Sequence, residues 1–499
     1  MVNNPPLLSA LLLIPPLGAL LIWLVRDPAK ARMVALFTGI LNLAIALRVL
    51  VLFDGSISGF QFVERTSWIP TLHVDYHLGV DGISILFLPL AALLFVGVIL
   101  ASWTRVRNMP RLFFTLLLFL ESLTLGVFCA IDVILFYLFW ELTLIPIYFL
   151  ISLWGIGPYR RHAATKYILF MLVGGVPLLV AFVYLAIHQA EAASGVAQGL
   201  TFSYPALFAN PIASELQTAL FFLLLLGFAA KTPLFPLHTW LPTLTMEGHT
   251  SLATLMVGLK IGAYGLMRYL LPLAPDAARE YHWLLAGLGI IGLLYGALAA
   301  LAQTNIRRML AYGSMSHVGL VVLGLASLDQ AGVQGALFQL LNFTVVAGGL
   351  FLLTGFLRHR TGSTDLLSLG GGVKTMPLLV AFFFWMGIAS LGVPGTSGFP
   401  AEFLILVSAL GSHTGAGLAA LAAMVLGAAY FLSFFQKSFL GPVKSSLVAQ
   451  AVDLRPRELV VAVTLGGVIL LFGLFPSLVL DLTRESTALW VSHIGAVTP

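Results

Sequence analysis

Five side chains able to carry a proton lie inside apolar runs long enough to cross a bilayer. They are Glu141 in LFYLFWELTLIPIYFL, Lys231 and Lys260 in the stretch from Glu215 to Arg268, His317 in AYGSMSHVGLVVLG, and Glu402 in GVPGTSGFPAE. A charge at the centre of a bilayer costs about 2.5–3.5 kcal/mol on insertion scales, so such groups persist where they face protein or water and mark routes for ions. A carboxylate isolated in low dielectric keeps its proton, and a nearby ammonium holds it ionised. Lys231 is the best candidate partner for Glu141, and Lys260 offers the proton a second stop. Imidazole titrates near neutral pH, so His317 can bridge Lys260 to Glu402, which would pass the proton outward. The competing reading is a set of structural ion pairs, two lysines against two glutamates, that fix helix packing.

Positioning these groups takes helices of about 20 mostly apolar residues, and the chain divides into fourteen such spans. They lie near 5–25, 33–53, 79–102, 112–129, 131–153, 167–189, 215–240, 250–272, 283–303, 309–328, 334–356, 376–411, 414–436 and 458–480. The fourth and fifth are the hardest to divide, with Ala130 between them and Asp132 the sole polar marker. Spans 7 and 12 are interrupted, at KTPLFPLH and GVPGTSGFPAE. Pro233 and Pro236 leave the carbonyls of Ala229 and Thr232 without helical donors, and Pro394 and Pro400 do so for Ser390 and Thr396. Unpaired backbone at membrane depth is tolerated only against protein or a wet cavity, so both breaks mark the interior. The two broken spans are five apart and therefore run in opposite directions, the signature of an inverted repeat. The expected organisation is residues 1–111 for helices 1–3, 112–272 for one five-helix repeat (helices 4–8), 283–436 for a second (helices 9–13), and 437–499 for an inner loop, helix 14 and a short tail. The fold class is all-α polytopic membrane protein.

Charge supports the count. Most of the 25 Lys plus Arg fall on alternate connections: Arg26, Lys30 and Arg32; Arg105, Arg107 and Arg111; Arg160, Arg161 and Lys166; Arg307 and Arg308; Arg358, Arg360 and Lys374; Lys437, Lys444, Arg455 and Arg457. The positive-inside rule then places both termini on the outer side, which is periplasmic if the membrane is a bacterial inner membrane. The segments Asp54 to His77 and Ser194 to Ala213 read as outer loops.

Further titratable groups have narrower readings. Glu121 in span 4 either tunes Glu141, bridges to a neighbouring subunit, or is a hydrogen-bonded acid. His238 and His249 flank the break after span 7 as wet gating groups or helix caps. Lys166 is an inner-end anchor or a point of proton uptake. Asp81 and Asp132 sit at span ends, where solvation favours a structural role, and Phe and Trp read as lipid-facing bulk or core.

With 60% hydrophobic and 9% charged residues, against about 25% charged in soluble domains, the chain is a polytopic membrane protein. Its net charge of +5 is spread over short loops, which argues against nucleic acid. The single Cys129 cannot form a disulfide within the chain or hold an iron–sulfur cluster alone, and the histidines lack the spacing of a metal site. The GGGV run at 370–373 follows no strand and has no phosphate-binding lysine in place, so it reads as a flexible inner loop. The start, MVNNPP, reads as leading into an uncleaved first helix.

The strings LFYLFWELTLIPIYFLISLWG, RHAATKYIL, KTPLFPLHTWLP, GLKIGAYGLMR, RRMLAYGSMSHVG and GVPGTSGFPAEFLIL resemble the antiporter-like subunits of respiratory NADH:quinone oxidoreductase (complex I), most closely the M type, called chain 4 in mitochondria. The resemblance covers roughly helices 3–14. It implies a proton-translocating subunit with inverted five-helix repeats, Glu141 and Lys231 as a coupled pair, Lys260 as central lysine, His317 as relay and Glu402 as terminal group. It implies no cofactor in this chain, with flavin, iron–sulfur clusters and quinone in other subunits. Partners would be sister antiporter-like chains of the L and N types and membrane lipids, with no nucleic acid. Glutamate at 402 and the absence of room for a long lateral helix favour the M type.

Two stretches depart from the family pattern. In TLTMEGHT, Thr243 and Thr245 stand at the usual acidic and His positions. In QLLNFTVVAGG, Phe343 replaces a frequent histidine, leaving a water chain, or Asn342 with Thr344, to link Lys260 to Glu402. Two other functions stay open: a related subunit of a cation/proton antiporter or membrane-bound hydrogenase, and a stand-alone solute transporter.

Overall fold

The protein is a bundle of helices in a computed structural model that describes residues 6–193 and 199–495. Among the described residues, twelve helices are long and apolar enough to cross a membrane. The remaining expected spans are formed by shorter apolar helices: Phe87–Ser102 for the third, and Pro377–Ser390 with Gly398–Ser412 for the broken twelfth. The centre of the bundle is the 32-residue helix Gln330–Thr361, buried along nearly its whole length. Around it pack Thr250–Gly258, Ile306–Ala326 and Phe87–Ser102, while Leu7–Leu24, Pro28–Leu52 and Pro456–Leu474 bury one face each and expose Leu, Val and Phe on the other. That outer apolar face is what lipid contact requires.

Local chemistry explains the helix ends. Asp27 accepts from Ala29 N at 2.8 Å ahead of Pro28, and Asp329 accepts from Gly332 N at 2.7 Å at the head of the central helix. Both side chains satisfy amide donors that the first helical turn leaves free. Gly362, at φ 72°, ends the central helix in the left-handed conformation glycine adopts without strain. The difficult boundary between the fourth and fifth spans is a genuine interruption. Cys129 ends one helix, and Asp132 caps the next through Ile134 N (2.9 Å) and Leu135 N (3.0 Å).

Four expectations change. The Asp54–His77 segment is not merely a covering loop: its second half enters a two-stranded antiparallel hairpin, Gln61–Ile69 with Val74–Val80. From it Glu64 reaches back to accept from Leu8 N (2.8 Å) and Ser9 N (3.1 Å), capping the first helix across 55 residues of chain. Of the Ser194–Ala213 loop, residues 194–198 lie outside the described residues, and Tyr204–Ala209 forms a short helix. The tail is also structured, because Pro476 ends one helix and Ser477–Ile494 forms another. Trp490 donates from Nε1 to Met267 O at 2.8 Å, and Ser486 Oγ accepts from Gly82 N at 2.9 Å, so this helix lies across the ends of spans 8 and 3. Finally, two carbonyls freed by prolines do find donors. Ala229 O accepts from Leu234 N (3.1 Å), and Thr396 O from Phe399 N (3.2 Å).

Candidate functional site

The first broken span ends its leading helix, Ser214–Lys231, at Lys231, and chain resumes as helix at Trp240. A cation in the last turn of a helix faces its free carbonyls and negative dipole end. Trp240 turns its indole back into the gap, donating from Nε1 to Ala230 O at 2.9 Å. Lys231 points to the fifth span, donating from Nζ to Trp140 O (2.9 Å) and Thr143 Oγ1 (3.1 Å), and its ammonium lies 4.0 Å from the Trp140 ring centroid. This arrangement differs from a direct ion pair. Lys231 holds the backbone beside Glu141, whose Oε1 is buried without a hydrogen-bond partner. The Glu141 carboxyl rests on Gly175 of the sixth span, where an added Cβ would come within 2.9 Å of Cδ. Trp140, read from sequence as bulk, is therefore an electrostatic partner of Lys231 through its ring face.

Lys260 sits at a second interruption that no proline announces. Thr250–Gly258 ends, Leu259 turns out of helical geometry, and helix resumes at Ile261. The side chain is 4% exposed, donates to Ser314 Oγ, and lies 5.5 Å from the Phe343 ring centroid. Three residues beyond Ser314, one helical turn along, stands His317. Its ring packs edge-on against Phe343 at 5.3 Å, and its Nδ1 approaches Glu402 Oε1 at 3.7 Å. Glu402 is buried; it accepts from Gln339 Nε2 at 3.4 Å, and its Oε2 has no partner. Gly392, at φ 64°, makes room for that carboxyl, with an added Cβ 2.9 Å from Glu402 Cδ.

Two small cavities meet at His317. One, of about 30 Å³, is lined by Ser314, His317, Gln339, Asn342, Phe343 and Tyr430 among others. The second, of about 20 Å³, is lined by His317, Ser390, Glu402 and Tyr430 among others. Roughly 10–15 Å³ of such space suffices for one water, provided polar partners line it. His317 Nε2 has no protein partner. The geometry thus brings together Lys260, Ser314, His317, Gln339 and Glu402, with Asn342 at the margin, donating to Gln339 Oε1 (3.2 Å) and accepting from Ser397 Oγ (2.6 Å). Thr344 faces elsewhere, donating to Gly258 O (3.3 Å) and Leu340 O (3.4 Å). Ser314, Gln339 and Tyr430 were missed from sequence, although Ser314 precedes His317 by one helical turn and would share its face.

The secondary candidates are dispersed. Glu121 is fully buried, accepting from Asn42 Nδ2 at 2.9 Å, with Oε2 unpartnered. Lys166 donates to Thr239 O (2.8 Å) and Thr243 Oγ1 (3.1 Å), tying the sixth span to the TLTMEGHT region. His238 packs against Phe235 and Tyr295, and His249 against Phe113, each with a buried Nδ1 lacking a partner. Asp81 and Asp132 are buried rather than solvated. Asp132 is the helix cap described above, and Asp81 forms a two-point ion pair with Arg268, including Nη1 to Oδ2 at 2.7 Å. Among the described residues, no three His, Cys, Asp or Glu side chains gather as a metal site would require.

Known proteins share this architecture. Residues 130–427 match the family described as NADH:quinone oxidoreductase/Mrp antiporter, transmembrane. NADH-quinone oxidoreductase subunit M of Rickettsia typhi is 34% identical, covering 96% of this chain and 98% of its own length. NAD(P)H-quinone oxidoreductase chain 4 1 of Synechococcus elongatus is 37% identical over 99% of this chain and 93% of its own. A chain of the respiratory complex I of Thermus thermophilus superposes with a TM-score of 0.89 at 32% identity, covering 98% of this chain and all of that one. The family model covers more than half of the chain and the relatives nearly all of it, and the chain belongs to the NADH:quinone oxidoreductase/Mrp antiporter family of membrane subunits, in its M-type, or chain 4, branch.

Proposed function

We propose that this chain moves protons across an energy-transducing membrane, such as a bacterial inner membrane, as the M-type membrane-arm subunit of an NADH:quinone oxidoreductase. Protons pass along Glu141, Lys231, Lys260, His317 and Glu402, and the driving force arrives from neighbouring subunits as charge displacement. Protonating or moving one charged group alters the next because Coulomb interactions are strong in a low-dielectric interior. The observation that carries the reading is the pair of water-sized cavities meeting at His317, one reaching the Ser314 partner of Lys260 and the other reaching Glu402. Such a gap is bridged by water without a direct lysine–histidine contact.

In this reading the two broken spans belong to inverted repeats at 112–272 and 283–436. Both termini face outward, L- and N-type sister chains flank this one, and flavin, iron–sulfur clusters and quinone reside in other subunits. Glu121, His238, His249, Lys166 and Asn342 tune or feed the line rather than form it.

The test is Glu141→Ala and Lys231→Ala in the assembled complex, reconstituted in proteoliposomes, with proton movement measured at matched rates of donor oxidation. Loss of pumping in both is expected. Normal pumping in both would remove the pair from the mechanism.

A further inference from the structure

A cavity of about 340 Å³ opens at the arginine-rich ends of the helices, away from the line of five. Its walls carry Arg105, Arg107, Arg358, His249 and His359, and no carboxylate lines it. Thr104, Arg107 and His359 are exposed and form its mouth, whereas His249 is 8% exposed at its floor. The nearby Glu458 is engaged elsewhere, accepting from Arg360 Nη2 at 2.5 Å and from Arg455 N at 3.1 Å. Like charges gathered in one concavity repel unless something neutralises them.

The donors inside are unspent. Arg105 stacks its guanidinium over Phe356, 5.4 Å from the ring centroid, and its Nη2 is buried without a partner. Burial outweighs the attraction of Glu458 and, with smaller repulsions from Arg360, Arg457 and Arg358, brings the Arg105 guanidinium down to about 10, so it is still charged at neutral pH. His249 Nδ1 is buried and unpartnered, and His249 also precedes the nine-residue helix Thr250–Gly258, whose start has no side-chain cap. Within that first turn the backbone donors that find partners belong to Leu252 and Ala253, both directed to His249 O. Thr250, the first residue of that helix, itself lines the cavity. A guanidinium fork, an imidazole and a helix N-terminus converging on one space are the elements that bind phosphoryl oxygens.

We propose that this cavity is a binding site for a phosphate-bearing anion, held by Arg105 and Arg358 against the start of the Thr250–Gly258 helix. The anion is the phosphodiester headgroup of an acidic lipid or free orthophosphate, which offer the same oxygens. Because that helix ends next to Lys260, occupancy fixes one end of the element that carries the central lysine. Binding itself does not depend on any role of Lys260 in proton movement.

The experiment uses the full chain in nanodiscs. Cys129 is buried, so Thr104→Cys at the mouth can be labelled selectively with an environment-sensitive fluorophore. Two probes are applied: orthophosphate added to phosphatidylcholine nanodiscs, and phosphatidylglycerol introduced into the nanodisc lipid. A spectral shift with phosphatidylglycerol identifies the lipid headgroup, and a shift with orthophosphate identifies the free ion. In either case Arg105→Gln or Arg358→Gln weakens the response at least about tenfold, as expected for a lost charge-assisted hydrogen bond. Arg358 is only half-buried, so its variant keeps the test open if Arg105→Gln fails to fold. Lys437→Gln, an exposed cation outside the cavity, leaves the response intact. No shift with either probe, a shift that persists in both arginine variants, or equal loss in Lys437→Gln would overturn the proposal.

Discussion

At the scale of single residues, Lys231 separates a proton carrier from a structural cation. Its ammonium spends two donors on Trp140 O and Thr143 Oγ1 and lies over the Trp140 ring, contacts that a guanidinium could also make. Arginine keeps its charge at every accessible pH, whereas a lysine ammonium can release its proton. Lys231→Arg is therefore expected to preserve assembly, read by native gel and by donor oxidation rate, while proton movement in proteoliposomes falls to a small fraction. Full pumping in this variant would make Lys231 a packing cation. The five candidate groups could be picked out because a charged side chain in an apolar run is conspicuous. Their contacts could not: Lys231 donates to Trp140 O and Thr143 Oγ1, beside Glu141, rather than directly to its carboxyl. Sequence distance gives no sign of whether a lysine side chain turns toward a carboxylate or toward the backbone one residue before it.

At the scale of elements, prolines announced two of the interruptions, and a third was silent. Pro233, Pro236, Pro394 and Pro400 remove amide donors, so the breaks near 232–239 and 391–397 follow from composition. The turn at Leu259–Lys260 carries no such marker, because it arises where a buried ammonium reaches Ser314 on the next helix but one. Burial likewise hid the role of Asp81. Placed at a span end, it was expected to be solvated, yet it pairs with Arg268 and links the start of the third span to the eighth, with side chains 6% and 5% exposed. Removing one partner of a buried pair leaves an uncompensated charge and typically costs about 3–5 kcal/mol, whereas replacing both with apolar groups of similar volume is often neutral. Asp81→Leu alone should therefore lower the thermal unfolding midpoint of the purified chain sharply. Asp81→Leu with Arg268→Met should recover most of the loss. Equal destabilisation in the single and double variants would show that the hydrogen bonds around Arg268, and not its charge, hold the two spans.

At the scale of the whole molecule, the question is how two halves of the bundle communicate. Lys260 belongs to the first expected repeat, and His317 and Glu402 to the second, so any transfer between them crosses the seam between Thr250–Leu273 and Ile306–Ala326. Phe343 occupies that seam, touching both Lys260 and His317 with its ring, and an aromatic ring cannot relay a proton. In the proposed route the passage depends on the cavity beside it, whose polar lining of Ser314, Gln339 and Asn342 and whose volume of about 30 Å³ suit one or two waters. Ala347 lines the same cavity from the central helix. Ala347→Leu places its added carbons in that space, where they displace water without removing a charge or a hydrogen-bonding side chain. Because the volume is already empty of protein, the overpacking cost should fall at or below the usual range of about 1–3 kcal/mol, and assembly should survive. Proton movement per oxidised donor is expected to fall severalfold, with a larger fall for Ala347→Phe. If both variants pump normally while remaining assembled, the seam is crossed elsewhere, and the water route beside Phe343 is excluded even though each of the five central residues keeps its place.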